Sequence, residues 1–250
     1  MFSKIVAAAY LIPLQNIGAA VRAFWPTLLL ALTPFLLLLV FDASSEITPQ
    51  DGAVWFVVVL SLGIYWAFLT AKGAVQWHRH LILGEPIGWT SLVPNATDLR
   101  YVLWTIAVGI LTLIVLFGIG LVLIPIILSV GSAQDATGPV STDGNILTAL
   151  IVNALASVIV IFLLASFIIK LPSVAVASHD DEAASISTVR KVLLMTALPL
   201  ALVSTLLSHL LIPYSANPLV FVGLTIFNWY VSLVALSGLS LAYRWKDTTV

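Results

Sequence analysis

Residues 101–130 read YVLWTIAVGILTLIVLFGIGLVLIPIILSV, with no charged side chain anywhere in the run. A helix needs about 20 apolar residues, at about 1.5 Å of rise each, to cross the hydrocarbon core of a bilayer, whereas a barrel strand uses about 10. The run is too long for a strand, and in lipid a helix satisfies its own backbone hydrogen bonds. It reads as a transmembrane helix, so the rest of the chain has to be read with lipid as its solvent.

Five further runs of the same kind flank it: Phe24 to Phe41, Ala53 to Val75, Ile146 to Val174, Val192 to Ile212 and Leu219 to Tyr243. The expected fold is all-α, a polytopic bundle of six transmembrane helices in a single transmembrane domain covering residues 1–250. The third and fourth spans are overlong, which implies tilt, a kink or helix continuing into water. Composition agrees: 61% of the residues are hydrophobic, 8% are charged and the mean hydropathy is +1.13, whereas a soluble domain carries roughly a quarter of its residues as charges. The polar stretches Asp42 to Asp51, Ser132 to Asn145 and Ser178 to Lys191 are too short to hold a core of their own.

Charge placement orients the spans. The ten basic residues are Lys4, Arg22, Lys72, Arg79, Arg100, Lys170, Arg190, Lys191, Arg244 and Lys246, and with six spans all of them fall on one side. The opposite loops hold Asp42, Glu46, Asp51, Asp135 and Asp143, and the last of them, around Pro213 to Pro218, is uncharged. By the positive-inside rule the basic side is cytoplasmic, with both termini there. A net charge of −1 suggests no nucleic-acid partner. The absence of cysteine excludes disulfides, thiolate metal sites, iron–sulfur clusters and cysteine nucleophiles.

Before the first span, Phe2, Ile5, Val6, Tyr10, Leu14, Ile17 and Val21 recur at spacings of three and four, with Lys4, Gln15 and Asn16 off the stripe. Residues 1–22 are therefore expected to form an amphipathic helix lying on the cytoplasmic leaflet. A cleaved signal peptide fits less well, because Pro13 interrupts the apolar run and Arg22 immediately precedes the first span.

Three segments open outward-going spans with an arginine: Asn16 to Trp25, Asn95 to Trp104 and Ser185 to Leu194. The chain can be read as three parallel helical hairpins, each preceded by an interfacial segment. Any three hairpins obeying the positive-inside rule would share this layout, so both readings stand.

The cytoplasmic end of the second span reads GAVQWHRHLILGE, Gly73 to Glu85, and the last span closes with Leu241-Ala-Tyr243-Arg244. With the six spans, this layout resembles the bacterial inner-membrane proteins grouped with the YciC-like and glycerophosphodiesterase membrane-anchor families. The resemblance implies a six-helix module of the bacterial inner (plasma) membrane, with no catalytic residues to carry over. No phosphodiesterase domain accompanies it here.

Ionisable residues near the cytoplasmic ends are the candidate sites. Lys72 and Lys170 lie one or two turns inside their spans, where a lysine snorkels to the headgroups. Alternatively they face a cavity between spans two and four and, with Arg79 and Arg190, contact an anion or an acidic phospholipid headgroup. His78, His80 and Glu85, joined by His179, Asp180, Asp181 and Glu182, would be needed to build a metal site, but histidines two residues apart on a helix face different ways. The simpler reading puts Trp77 in the interfacial aromatic belt, and no metal or cofactor is expected. Asn153, Asn228 and His209 suit interhelical hydrogen bonds, and Pro34, Gly118, Gly120, Pro125 and Pro199 suit kinks or close approach. No phosphate loop, zinc-helix signature or serine elbow is present. The expected function is non-catalytic, a scaffold or lipid-interacting module with membrane lipids and an unidentified protein as partners. The alternative is a small transporter of a lipidic or amphipathic anionic solute.

Overall fold

The structure, a computed structural model, describes residues 2–40, 49–93, 95–134, 142–176, 186–211 and 217–244, except for the side chains of 31–40, 49–56, 58–59, 122–134, 142–149 and 218. His179, the acidic run 180–182, Lys246, Pro213 and most of the expected outer loops, with Asp42, Glu46 and Asp135, lie outside the described residues. So do the side chains of Asp51, Pro34, Pro125 and Asp143.

Eight helices and no strand are found among the described residues: α1 (Phe2–Gln15), α2 (Ile17–Val40), α3 (Pro49–Leu83), α4 (Ala96–Gln134), α5 (Thr142–Ile168), α6 (Lys170–Val176), α7 (Ile186–Leu211) and α8 (Pro218–Arg244). Among them, α4, α7, α8 and the α5–α6 stretch are long and apolar enough to cross a membrane. Counting the bent pair α1–α2 as one broken span makes five. The chain is thus a multi-pass helical protein with four to five candidate spans.

The amphipathic segment expected over residues 1–22 is divided at Asn16, where α1 and α2 meet at 73°. Asn16 holds the corner from both sides. Its backbone N–H and its side-chain amide both donate to the Ile12 carbonyl, and its own carbonyl accepts from Ala19 and Ala20. α1 packs against α7 and α8 through Ile5, Ala9 and Pro13, while Leu14, Ile17 and Val21 of the expected stripe are exposed.

Three prolines shape the helices by the N–H they lack. Pro26 leaves the Arg22 carbonyl without its helical donor, and the Thr90 N–H takes that place at 3.2 Å while the Thr90 hydroxyl donates to Ala23 O at 2.6 Å. Pro199 leaves the Met195 carbonyl open, and the Tyr10 hydroxyl lies 3.1 Å from both it and the Thr196 carbonyl. Pro172 cannot donate to Ile168, and α5 ends there. The overlong fourth span is therefore a helix broken at Ile169, and Trp104 Nε1 donates to the Phe167 carbonyl at the break, at 2.9 Å.

α3 touches α2, α4, α6 and α8 and is the hub of the bundle, with α5, α7, α8 and α1 adjoining in turn. The core collects toward the basic ends of the helices: Ala20, Phe24, Ala74, Trp77, Tyr101, Ala165, Val192 and Leu239 are buried, whereas Leu62, Ile64, Ile110, Leu113, Phe117 and Ile226 are exposed. That division suits lipid, which solvates apolar faces as well as a protein neighbour does, so close association depends on small residues and polar contacts. The closest approaches are made at Gly73, where a Cβ would lie 2.9 Å from Ala23 O, and at Gly238, where it would lie 3.2 Å from Val192 Cγ1. Gly118, expected to mark such an approach, has open space around it.

Candidate functional site

The strongest concentration of buried polar groups joins the end of α3 to α4 and α8. Trp77 and His78 are consecutive on α3 and fully buried. Their partners on α8, Ser237 and Ser240, are three residues apart and so share one face. Trp77 Nε1 donates to Ser237 Oγ at 3.0 Å. The Ser240 hydroxyl donates to its own helix at Leu236 O, 2.8 Å, which leaves its oxygen to accept from His78 Nδ1 at 2.6 Å. His78 Nε2 then accepts from the Tyr101 hydroxyl of α4 at 3.0 Å. This assignment makes His78 a neutral tautomer with both nitrogens satisfied. Trp77 is therefore packed inside the bundle and not in the aromatic belt, because α8 supplies an acceptor for its N–H.

One turn away, Lys72 of α3 lies 3.3 Å from the Asp98 carboxylate of α4 and also donates to the Val93 carbonyl. Both side chains are more than nine-tenths buried. Asp98 is at once part of a reciprocal helix cap, its Oδ2 accepting from Asn95 N and its own N–H donating to Asn95 Oδ1, each at 2.9 Å. Lys72 does not snorkel, because the neighbouring helix brings a carboxylate to it.

Arg79 grips Glu85 with its Nε and Nη2 at 2.7 and 2.5 Å. His80 Nδ1 lies 2.7 Å from the Glu85 carbonyl, and Gly84, at φ 72°, turns the chain between them. The hydrogen bonds from Arg79, helped by its charge, hold the Glu85 carboxyl below the ordinary carboxylate range. Beyond the turn, Trp89 meets Trp25 edge to face with ring centres 6.2 Å apart, so the segment after Gly84 straps α3 to α2. Arg244 closes the same end by donating to Leu81 O in the last turn of α3, at 3.1 Å.

The four cations expected to contact an anion are thus divided. Lys72 and Arg79 are held by carboxylates, each at its own seam. Lys170 is exposed, its Nζ 5.4 Å from the centre of the Trp104 ring. Arg190 stacks over Phe162 at 5.1 Å and donates from Nη2 to the Phe162 carbonyl at 2.6 Å. His78 and His80 turn to different partners, and no cluster of three or more metal-ligating side chains occurs among the described residues. Asn153 bonds Thr205, joining α5 to α7, and Ser204 bonds Asn228 at 2.7 Å, joining α7 to α8. An apolar groove lined by Leu150, Ile151, Ala154, Leu202, Val203 and Leu206 lies between α5 and α7, away from the seam between spans two and four where the alternative transporter reading would place a cavity.

Asp98, Tyr101, Ser237 and Ser240 were not legible as partners. The spacing of Asn95 and Asp98 does signal a cap, but nothing in the sequence ties it to Lys72.

Fold and site together define an all-helical, multi-pass protein of the membrane type whose polar core is spent on joining helices. No family model, curated protein or solved structure matches the chain.

Proposed function

We propose that the chain is a non-catalytic integral membrane module that organises lipid or scaffolds a partner. In this reading it has six spans, with α2 and α3 completing the set, and both termini in the cytoplasm of a bacterial inner membrane. It is a module of the kind found in the YciC-like and membrane-anchor families that its layout resembles. The observation that carries the reading is the Trp77–His78 junction with Ser237, Ser240 and Tyr101: the side chains best suited to chemistry are satisfied by one another and hold three helices in fixed register. A group that binds solute or exchanges protons with solvent must face an accessible space, and His78 is fully buried with both nitrogens turned to neighbouring helices.

Reconstitution tests this. Proteoliposomes containing the full chain are expected to move neither fluorescent phospholipid between leaflets nor amphipathic anions into the lumen faster than empty vesicles. Acceleration of either would overturn the scaffold reading in favour of a transporter. Single cysteines placed in the natural cysteine-free chain are expected to label from the cytoplasmic side at Lys4, Glu85 and Lys246; labelling of any of these from the opposite side would overturn the topology.

A further inference from the structure

We infer that the outer half of α3 is the interface for a second copy of this chain, paired in parallel about a two-fold axis along the membrane normal, with Tyr65 donating to the partner subunit's Ser61. The inference rests on the six-span reading above, in which α3 crosses the bilayer, and adds the partner and the residues that meet it.

Depth makes Tyr65 unusual. It lies on the continuous helix α3, fourteen residues from Asp51 and fourteen from Arg79, about 21 Å from each at the helical rise. Half the hydrocarbon core is about 15 Å, so Tyr65 stands near the midplane and away from the interfacial belts that tyrosine favours. It is 39% exposed, and its hydroxyl has no partner among the described residues. The other tyrosines inside the bundle differ: Tyr10, Tyr101 and Tyr230 each donate to a neighbouring helix. A threonine can donate to the carbonyl four residues back, as Thr70 does to Trp66 at 2.8 Å, but a phenolic hydroxyl stands too far from its own backbone. Acyl chains offer no acceptor, so an unpaired hydroxyl at this depth is costly until another helix supplies one.

The chain's own described helices do not supply it. Every residue from Leu60 to Ala67 is exposed, two turns of helix that are bare on all sides. Val57, Ser61, Ile64 and Tyr65 recur at spacings of three and four and so share one face. Helical side chains lean toward the N-terminus of their own helix, which carries the Tyr65 hydroxyl toward the level of residue 61. Two copies inserted in the same orientation set equal depths side by side, and a two-fold axis makes each contact reciprocal. Tyr65 of each copy then meets the partner subunit's Ser61, giving two hydrogen bonds where no water competes. A foreign helix would need an acceptor at the same depth, whereas a second copy brings one by symmetry. An aromatic donor on α3 already meets a serine on another helix in this way, Trp77 Nε1 with Ser237 Oγ at 3.0 Å.

The test uses the full chain, labelled through Lys246→Cys with donor or acceptor dye and reconstituted together in phosphatidylcholine vesicles over a range of protein-to-lipid ratios. Energy transfer is expected to rise with protein density along a monomer–dimer curve. Tyr65→Phe should weaken dimerisation roughly five- to tenfold, the loss of two interhelical hydrogen bonds. A chain that stays monomeric, or a Tyr65→Phe curve equal to that of the unaltered chain, overturns the inference. Disulfide trapping locates the contact independently, since the natural chain has no cysteine. Ser61→Cys is expected to form a covalent dimer on oxidation, while Leu62→Cys, turned away on the same helix, and Phe117→Cys, exposed on α4, should form little. Trapping at Phe117→Cys as strong as at Ser61→Cys would overturn the interface. Labelling of Asp51→Cys from the side opposite Glu85→Cys keeps α3 as a span, so a monomer found with that result refutes this inference alone. Labelling of both from one side refutes the six-span reading and the interface with it.

Discussion

Lys72 and Asp98 form an ion pair inside the protein, 3.3 Å apart, in which the carboxylate that receives the ammonium also closes the N-terminal cap of α4. One side chain thereby couples the register of α3 to the start of α4. Removing either partner leaves the other buried and uncompensated, which typically costs about 3–5 kcal/mol. Lys72→Ala is expected to show a loss of that order in thermal unfolding in detergent. Lys72→Met combined with Asp98→Asn, which removes both charges and keeps the cap, should recover most of it. A double variant no better than Lys72→Ala would show that the charges themselves are required.

The second prediction concerns Tyr10 and the carbonyl that Pro199 leaves open on α7. Tyr10→Phe deletes the substitute donor and is expected to cost about 0.6–1 kcal/mol. In a Pro199→Ala background the restored N–H can serve Met195, so the same Tyr10→Phe change should cost less. A double-mutant cycle measures the coupling, and strictly additive effects would show that the hydroxyl does not stand in for the missing N–H.

Close packing at Gly73 makes a third case. A Cβ there would lie 2.6 Å from Phe24 Cδ1 and 2.9 Å from the Ala23 carbonyl, which already accepts from Thr90. The ring can turn aside, but the backbone cannot. Gly73→Ala is expected to destabilise by about 1–3 kcal/mol. Gly118→Ala, with open space around it, should be neutral or slightly stabilising, since alanine is the better helix former. Melting temperatures of the two variants in one detergent decide the point.

Acid titration tests the Arg79–Glu85 clasp. Glu85 has its folded-state pKa depressed by the donors of Arg79, so its contribution is complete above the unfolded-state value, ~4.3, and is lost as pH falls through the folded-state value. The stability gap between wild type and Glu85→Gln should be constant from neutral pH to about 5 and close on further acidification. Because the carboxylate is more than a third exposed, the gap is small and shrinks with added salt. A gap that widens in acid would contradict the assignment.

Helix positions were legible in advance because lipid makes hydropathy and length nearly sufficient for calling a helix. The uncharged run at residues 101–130 lies wholly within α4, and of the two overlong spans, for which tilt, a kink or helix continuing into water was open, the fourth is broken at Ile169 ahead of Pro172 while the third is one continuous helix. The break at Asn16 was less legible, since the apolar stripe of residues 2–21 continues through it without a change of period. Arg190 and Lys170 were found as candidates because a cation near a span end stands out against an apolar background. Which cations pair with a carboxylate could not be read, because that depends on Glu85 and Asp98 being delivered to Arg79 and Lys72 by a turn and a neighbouring helix.

Taken alone, the sequence determined an all-helical chain built for lipid, the placement of its basic residues and the absence of cysteine chemistry, for these follow from transfer free energies and composition. Only the tertiary structure decided that Trp77 and His78 turn inward to Ser237, Ser240 and Tyr101, and that Thr90 and Tyr10 serve carbonyls opened by Pro26 and Pro199. Partner choice between membrane helices has no periodic signature. It is made by small residues and single hydrogen bonds, and those pairings exist only once the helices have met.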